Sequence, residues 1–272
     1  MKRVLALILV LIGIAWIIPA YFTLQTSFLS TFTSPLNLIR HGHLETWRVL
    51  PWRLMGKWAL NSAIVCLSAS ILSTLVCIGA GYGFAGFDFR GKEQLFYLFL
   101  LAMAVPGMVL FLPRYLLVAR FKLIGSYPGL ILPVILMPAL VFFARQYLAH
   151  LEISMIEAAR LDGASEFGIF RHIILPLSIP LIVLCLITSF GTSYGDFMWQ
   201  YLVGRDLQTL TSGIGLFLQS SSGGVEWMGG EALLRKGISL ESLQAAAAVL
   251  QALPLIVLFA IGQKWVLKGT RI

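Results

Sequence analysis

The chain has 272 residues, of which 58% are hydrophobic and only 12% charged, and its mean hydropathy is +0.88. Soluble domains carry roughly 25% charged residues, so the composition excludes a soluble globular domain and points to an all-α integral membrane protein. The formal net charge of +8 is assigned to lipid headgroups rather than to nucleic acid, since no aromatic-basic binding patch accompanies it.

A helix needs about 20 mostly apolar residues to cross the hydrocarbon layer. Six stretches free of Asp, Glu, Lys and Arg meet that length: Val4–Phe22, Trp58 to about Ala80, Gln94–Pro113, Leu123–Ala144, Pro176 to about Gly195, and Leu243–Gln263. Lys2 and Arg3 precede the first, and no small-residue cleavage site follows it, so it is read as an uncleaved span and not a signal peptide. Between spans one and two lies a loop with Trp47, Trp52 and Trp58, a residue type that anchors at the membrane interface. His41 and His43 in that loop are two potential ligands without a Cys or carboxylate partner in pattern, which describes a solvated loop better than a metal site. Cys66, Cys77 and Cys185 fall inside apolar runs and behave as small hydrophobes.

Span two ends in Gly81-Tyr82-Gly83-Phe84-Ala85-Gly86, formally G-x-G-x-x-G. The dinucleotide reading requires a preceding strand, whereas small residues in a span let helices approach closely. Spans three and four contain Pro106, Pro113, Pro128, Pro133 and Pro138. Such prolines mark either gating breaks or static kinks. A further uncharged run, Leu207–Val225, is crowded with Ser, Thr, Gln and Gly and is expected to be re-entrant or surface-lying. Lys and Arg divide ten against ten between the two faces. The segments sharing a side with the termini are shorter, so charge density leans toward termini inside without deciding the orientation.

Between spans four and five, at residues 150–175, the chain turns polar. Ser154-Met155-Ile156-Glu157 reads as a capping box opening a short helix through Ala158, Ala159, Arg160 and Leu161. Gly163 supplies the turn and Ser165 the cap of a second short helix. Pro176 is expected to end that helix at Leu175, because the residue before proline avoids the helical region. Glu157 either meets a basic group on a partner or caps its own helix.

Glu157-Ala158-Ala159, three residues, Gly163, nine residues, then Ile173-x-Leu175-Pro176 resembles the EAA loop of permease subunits of ABC importers. The likeness extends to the carbohydrate-type, maltose-permease-like family through Asn61-Ser62, Phe87-x-Phe89-Arg90-Gly91, Gly129-Leu130-Ile131-Leu132-Pro133, Arg145-Gln146, Asp196-Phe197-Met198-Trp199 and Leu253-Pro254. The resemblance implies a type I ABC importer permease fold with six transmembrane helices. It implies one permease domain over 1–272, its core helices over 58–266, with both termini and the loop in the cytoplasm of a prokaryote beneath the inner membrane. Glu157, Ala158, Ala159, Leu161, Asp162, Gly163, Ala164 and Ser165 would then form the ATPase-coupling element.

The implied partners are a second, different permease subunit, two ATP-binding subunits that hold ATP and Mg, an extracytoplasmic solute-binding protein and a sugar. No cofactor is expected in this subunit. It is expected to be no enzyme, since no nucleophile-base set and no G-x-x-x-x-G-K-[ST] occurs. Two departures stand out: the chain stops at Ile272, where the family has a longer tail, and the outer loop over 201–243 is extended. In that loop Ser221, Ser222, Glu226 and Trp227 either contact the binding protein or rest on the membrane surface. Ser189, Thr192, Ser193, Tyr194 and Asp196 either line the translocation path or pack helices together. The alternative cargo is a polyol, glycerol phosphate or another small solute. A secondary transporter would need ionisable residues within the spans, and Asp196 lies only at a border.

Overall fold

The computed structural model describes residues 2–28, 44–151, 153–223 and 239–269. Among them all regular structure is helical: α1 Lys2–Thr26, α2 Glu45–Val49, α3 Trp52–Gly86, α4 Lys92–Ala104, α5 Phe111–Arg120, α6 Tyr127–Ile131, α7 Pro138–Ala149, α8 Ile153–Leu161, α9 Glu166–Ile169, α10 Leu175–Leu177, α11 Ile179–Gly195, α12 Phe197–Gly204, α13 Leu210–Gly223 and α14 Leu240–Gly269. The chain forms two compact units, Met1–Lys57 with Ser212–Ile256, and Trp58–Thr211 with Val257–Ile272.

Among the described residues three helices are each long and apolar enough to cross a bilayer: Val4–Thr26, Trp52–Gly86 and Leu240–Trp265. Spans four and five exist as bent pairs, 127–134 with 138–149 at 49° and 166–177 with 179–195 at 77°. The expected third span, Gln94–Pro113, is divided, since α4 stops at Ala104 and α5 begins at Phe111. Proline chemistry explains two of the breaks. Val105 before Pro106 is extended at φ −78°, ψ 120°, and Met137 before Pro138 at φ −115°, ψ 100°, as the clash with a following proline ring requires.

Leu175 departs from that rule. It is helical at φ −60°, ψ −46°, so the expected stop before Pro176 does not occur. The preceding residues Phe170–Ile174 form a π turn, a kind of widening that itself bends helices, and the chain turns only at Ser178, φ −91°, ψ 10°. The run expected to be re-entrant or surface-lying contains the regular helix α13, with Ile214 and Phe217 buried.

In the first unit Trp47 and Trp52 stack at 6.4 Å, and Trp52 Nε1 donates to the Trp47 carbonyl at 2.8 Å. Thr46 and Ser242, both buried, lie 3.5 Å apart through their hydroxyls. The second unit has two apolar clusters. One joins Ile78 and Phe84 of α3, Phe96 of α4, Val141 of α7, Ile169 of α9, Ile174 and Leu181. The other joins Val65, Val118, Leu130, Trp199 and Val203. Cys66, Cys77 and Cys185 are free thiols and buried.

The glycines at 81–86 lie on the helix α3 rather than in a turn after a strand, and the first of them serves helix packing. A Cβ on Gly81 would strike the Cβ and backbone of Ala144 on α7, while one on Gly83 would meet nothing within 4 Å. Gly81→Ala is therefore expected to destabilise the protein by about 1–3 kcal/mol through overpacking. Gly83→Ala is expected to be neutral or stabilising by up to about 1 kcal/mol through helix propensity. Thermal unfolding of the two variants in one detergent checks the contrast, and equal midpoints would contradict it.

Candidate coupling site

The polar segment between α7 and α11 folds as a helix-turn-helix whose ends follow local chemistry. Gly163 is left-handed at φ +80°, the conformation that costs glycine least. Its N–H donates to the Arg160 carbonyl at 3.1 Å, and the Ala164 N–H to the Ala159 carbonyl at 3.0 Å, which is a Schellman closure of α8. Ser165 follows as N-cap of α9, its Oγ accepting from the Gly168 N–H at 3.1 Å. The expected start of α8 is corrected. The helix begins at Ile153, so Ser154 lies inside its first turn, not ahead of it.

The turn brings Arg160 and Glu166 together. Arg160 Nε donates to Glu166 Oε1 at 2.8 Å and Nη2 to Oε2 at 3.3 Å, a forked pair that fixes geometry as well as charge. Tyr82, near the end of α3, adds its hydroxyl to Glu166 Oε2 at 3.2 Å. The Arg160 guanidinium, with help from the Tyr82 hydroxyl, holds the Glu166 carboxyl below the ordinary carboxylate range, against a smaller desolvation effect. The Tyr82 ring packs edge-on to Phe87 and against Phe170.

At the entry to the segment, Arg145 Nη2 lies 3.1 Å from Glu93 Oε1 of α4, and its guanidinium sits 3.8 Å above the Phe96 ring centroid. His150 and His172 each bond through Nδ1 to the carbonyl four residues back, at 2.6 and 3.0 Å.

The helix-turn-helix has two faces. Ile169 and Ile174 are buried, and Ile156, Ala159 and Phe170 pack partly buried on the same cluster. Outward stand Leu161, 89% exposed, and Phe167, 72% exposed, with Met155, Glu157, Ala158, Asp162, Gly163, Ala164 and Ser165 also exposed. Ala159, expected to pack outward with Ala158 and Leu161, is turned to the protein's own core. Helical spacing puts Ala159 on the face of Ile156, three residues earlier.

The residues proposed for the path separate in the structure. Ser189 donates to the buried Ser73 hydroxyl of α3 at 3.1 Å, which fits the packing alternative. Ser193 and Tyr194 are buried, and their carbonyls accept from Gln200. Thr192 is exposed and bonds back to the Thr188 carbonyl at 2.9 Å. Asp196 caps α12 by accepting from the Trp199 N–H at 3.1 Å, and it pairs with Arg114 at 3.4 Å. The Arg114 guanidinium lies 4.1 Å over the Trp199 ring. Ser221 and Ser222 fall in the last turn of α13, while Glu226, Trp227, His41 and His43 lie outside the described residues.

Sequence reasoning did not anticipate Tyr82, Glu93 and Gln200. The buried Gln200 was detectable as a lone amide in an apolar stretch.

These features belong to a membrane transport subunit, and the chain is a member of the family described as binding-protein-dependent transport system inner membrane component, matched over residues 75–272. It is 34% identical over 213 residues to the arabinooligosaccharides transport system permease protein AraQ of Bacillus subtilis, covering 78% of this chain and 71% of that one. With the sn-glycerol-3-phosphate transport system permease protein UgpE of Pectobacterium atrosepticum it shares 27% identity over 251 residues, 88% of this chain and 83% of the other. A solved bacterial ABC transporter involved in the import of the acidic polysaccharide alginate has the same fold, with a TM-score of 0.83 at 18% identity over 97% of this chain and 95% of that one. The type I permease fold is thereby established.

Two substitutions test the local design of the turn. Ser165→Ala removes the cap and Gly163→Ala forces a side chain into the left-handed region, and each is expected to loosen the segment by about 1 kcal/mol. Amide exchange over residues 161–169 should accelerate in both, with exchange over 60–75 unaltered. Unchanged exchange at 161–169 would refute the assignment.

Proposed function

We propose that this chain is one permease half of an ATP-driven sugar importer, and that the 150–175 segment carries the force of ATP hydrolysis into it. The observation that supports this most is the outward pair Leu161 and Phe167. Two large apolar side chains stand far out, beside the exposed Glu157, Asp162 and Ser165, with the turn between them closed by backbone bonds and backed by buried Ile169. Exposed apolar groups on a fixed support are what a partner's groove takes up. Ala158 is small enough to let that partner approach, and Glu157 offers it a carboxylate.

In this reading the segment and both termini lie in the cytoplasm. A second, different permease subunit completes the pathway, two ATP-binding subunits carry ATP and Mg, and an extracytoplasmic binding protein delivers the solute. ATP hydrolysis takes place entirely in the partners. Binding that favours one arrangement of the loop shifts the whole subunit between inward and outward access by population shift. The names of the AraQ relatives favour an oligosaccharide cargo, and those of the UgpE relatives keep glycerol phosphate as the second reading.

Leu161→Asp is expected to weaken attachment of the ATP-binding subunits about tenfold or more, the effect of desolvating a charge in an apolar groove. Yield of those subunits on affinity purification of the tagged chain checks it, and wild-type yield would oppose the reading. Orientation is tested with Ser165→Cys and Asp206→Cys, since the buried native thiols do not compete. An impermeant thiol reagent applied from outside should label position 206 and not 165. Uptake of radiolabelled arabinotriose against glycerol 3-phosphate by cells carrying the whole transporter separates the two cargoes.

A further inference from the structure

The segment's inner side makes a contact that docking does not require. Tyr82, Arg160 and Glu166 form one hydrogen-bonded set, with the Tyr82 hydroxyl and two guanidinium nitrogens of Arg160 converging on the Glu166 carboxylate. Two of these groups belong to the loop and the third to α3, a turn from its end at Gly86. Arg145 and Glu93 join the other end of the loop to the start of α4, so the α3–α4 turn is held at both sides.

From α4 to α12 the chain is interrupted repeatedly, at Val105–Leu110, around Met137 and at Ser178. By contrast α3 runs 35 residues from Trp52 to Gly86 without a break or an internal proline. A continuous helix transmits displacement along its length, whereas a break absorbs it.

The first third of α3 is itself tied to groups of the same unit. Asn61 Nδ2 donates to the Gln208 carbonyl at 2.8 Å, Asn61 Oδ1 accepts from the Tyr127 hydroxyl at 2.9 Å, and Ser62 Oγ accepts from the Leu210 N–H at 2.8 Å. Asn61 and Ser62 are both buried. Between Asn61 and Tyr82 lie 21 steps of helix, about 31 Å at about 1.5 Å per residue. One rigid element thus bonds the loop at one end and the start of α13 at the other.

We infer that Tyr82 is a positioning residue, which through Glu166 and Arg160 couples the loop to α3 so that α3 moves as a rod and shifts the Asn61–Ser62 cluster. The inference rests on the reading of the loop as the ATPase docking element and adds the route by which its movement leaves it. A network linking two sites acts in this way when it passes through a rigid element with two discrete positions. Exposed ion pairs contribute little on their own because water screens them, and Arg160 and Glu166 are 39% and 45% exposed. Their role here is to aim Glu166 at Tyr82, not to hold the fold together.

The test uses the complete transporter, purified through this chain and held in nanodiscs, with a slowly hydrolysed ATP analogue as the probe. Amide exchange is read over residues 205–212, which include the Leu210 N–H held by Ser62. In the wild-type complex the nucleotide should change exchange there by about fivefold, the worth of one hydrogen bond. Tyr82→Phe keeps the ring against Phe87 and Phe170 but removes the hydroxyl, and the nucleotide response at 205–212 should vanish while the ATP-binding subunits stay bound. Glu166→Gln should blunt the response too, and the exchanged pair Arg160→Glu with Glu166→Arg should recover part of it. An undiminished response in Tyr82→Phe and Glu166→Gln, or no response in the wild type, would overturn the inference. Loss of the ATP-binding subunits from Tyr82→Phe would also overturn it, by assigning the contact to docking. If no ATP-binding subunit accompanies the wild-type chain, the docking reading itself fails first, which is a distinguishable result.

Discussion

Backbone polar groups freed at a helix break must find partners where no water is available, and the second unit is built around that requirement. The last carbonyls of α11, at Ser193 and Tyr194, accept from the Gln200 amide and the Thr211 hydroxyl. Leu130, in the broken fourth span, offers its carbonyl to Trp199 Nε1 at 3.3 Å. Gly125 N–H reaches the Val203 carbonyl at 2.7 Å. The connection before α13 is held by Asn61 and Ser62. Each such bond is worth only about 1 kcal/mol net, but leaving the buried group unpaired would cost more than that. At the break between α11 and α12 the missing partners come from α12 and α13, and in the connection before α13 they come from α3.

This arrangement divides labour among the helices. Broken elements provide places where the backbone can change direction, and the continuous α3 provides a reference against which they do so. Close packing makes the division effective. Gly81 lets α3 approach Ala144 of α7 without an intervening side chain, and the residues just beyond, Arg145 and Tyr147, lead into the loop. The loop is fixed in turn by backbone closure at Gly163, by the Ser165 cap and by a buried apolar face. Its outer face carries the exposed Leu161 and Phe167.

Much of this was legible in the sequence because it depends on local chemistry. Gly163 and Ser165 declare a turn and a cap through their own conformational preferences, and the structure has both. Pro106 and Pro138 shift Val105 and Met137 into extended backbone as any proline would. The same reasoning failed at Leu175, where a π turn over Phe170–Ile174 precedes a helical Leu175 and the helix runs on through Pro176. It also failed at Ser154, where the helix starts earlier than the capping pattern implies. The length of apolar runs located spans but not their interruptions. The orientation of Ala159 and the partnership of Tyr82 with Glu166 depend on residues far apart in the chain, and no single stretch encodes them. The resemblance to the transport family was legible in the spacing of the loop, and the family match extends over residues 75–272.

We propose that the outward face of the loop, and not the inward one, meets an ATP-binding subunit. A photoreactive phenylalanine analogue placed at Phe167, 72% exposed, and separately at buried Ile169, tests it in the intact transporter. Irradiation should join position 167 to an ATP-binding subunit and leave position 169 cross-linked only within this chain. An adduct from 167 to the binding protein, or none to any partner while the complex is intact, would contradict the account.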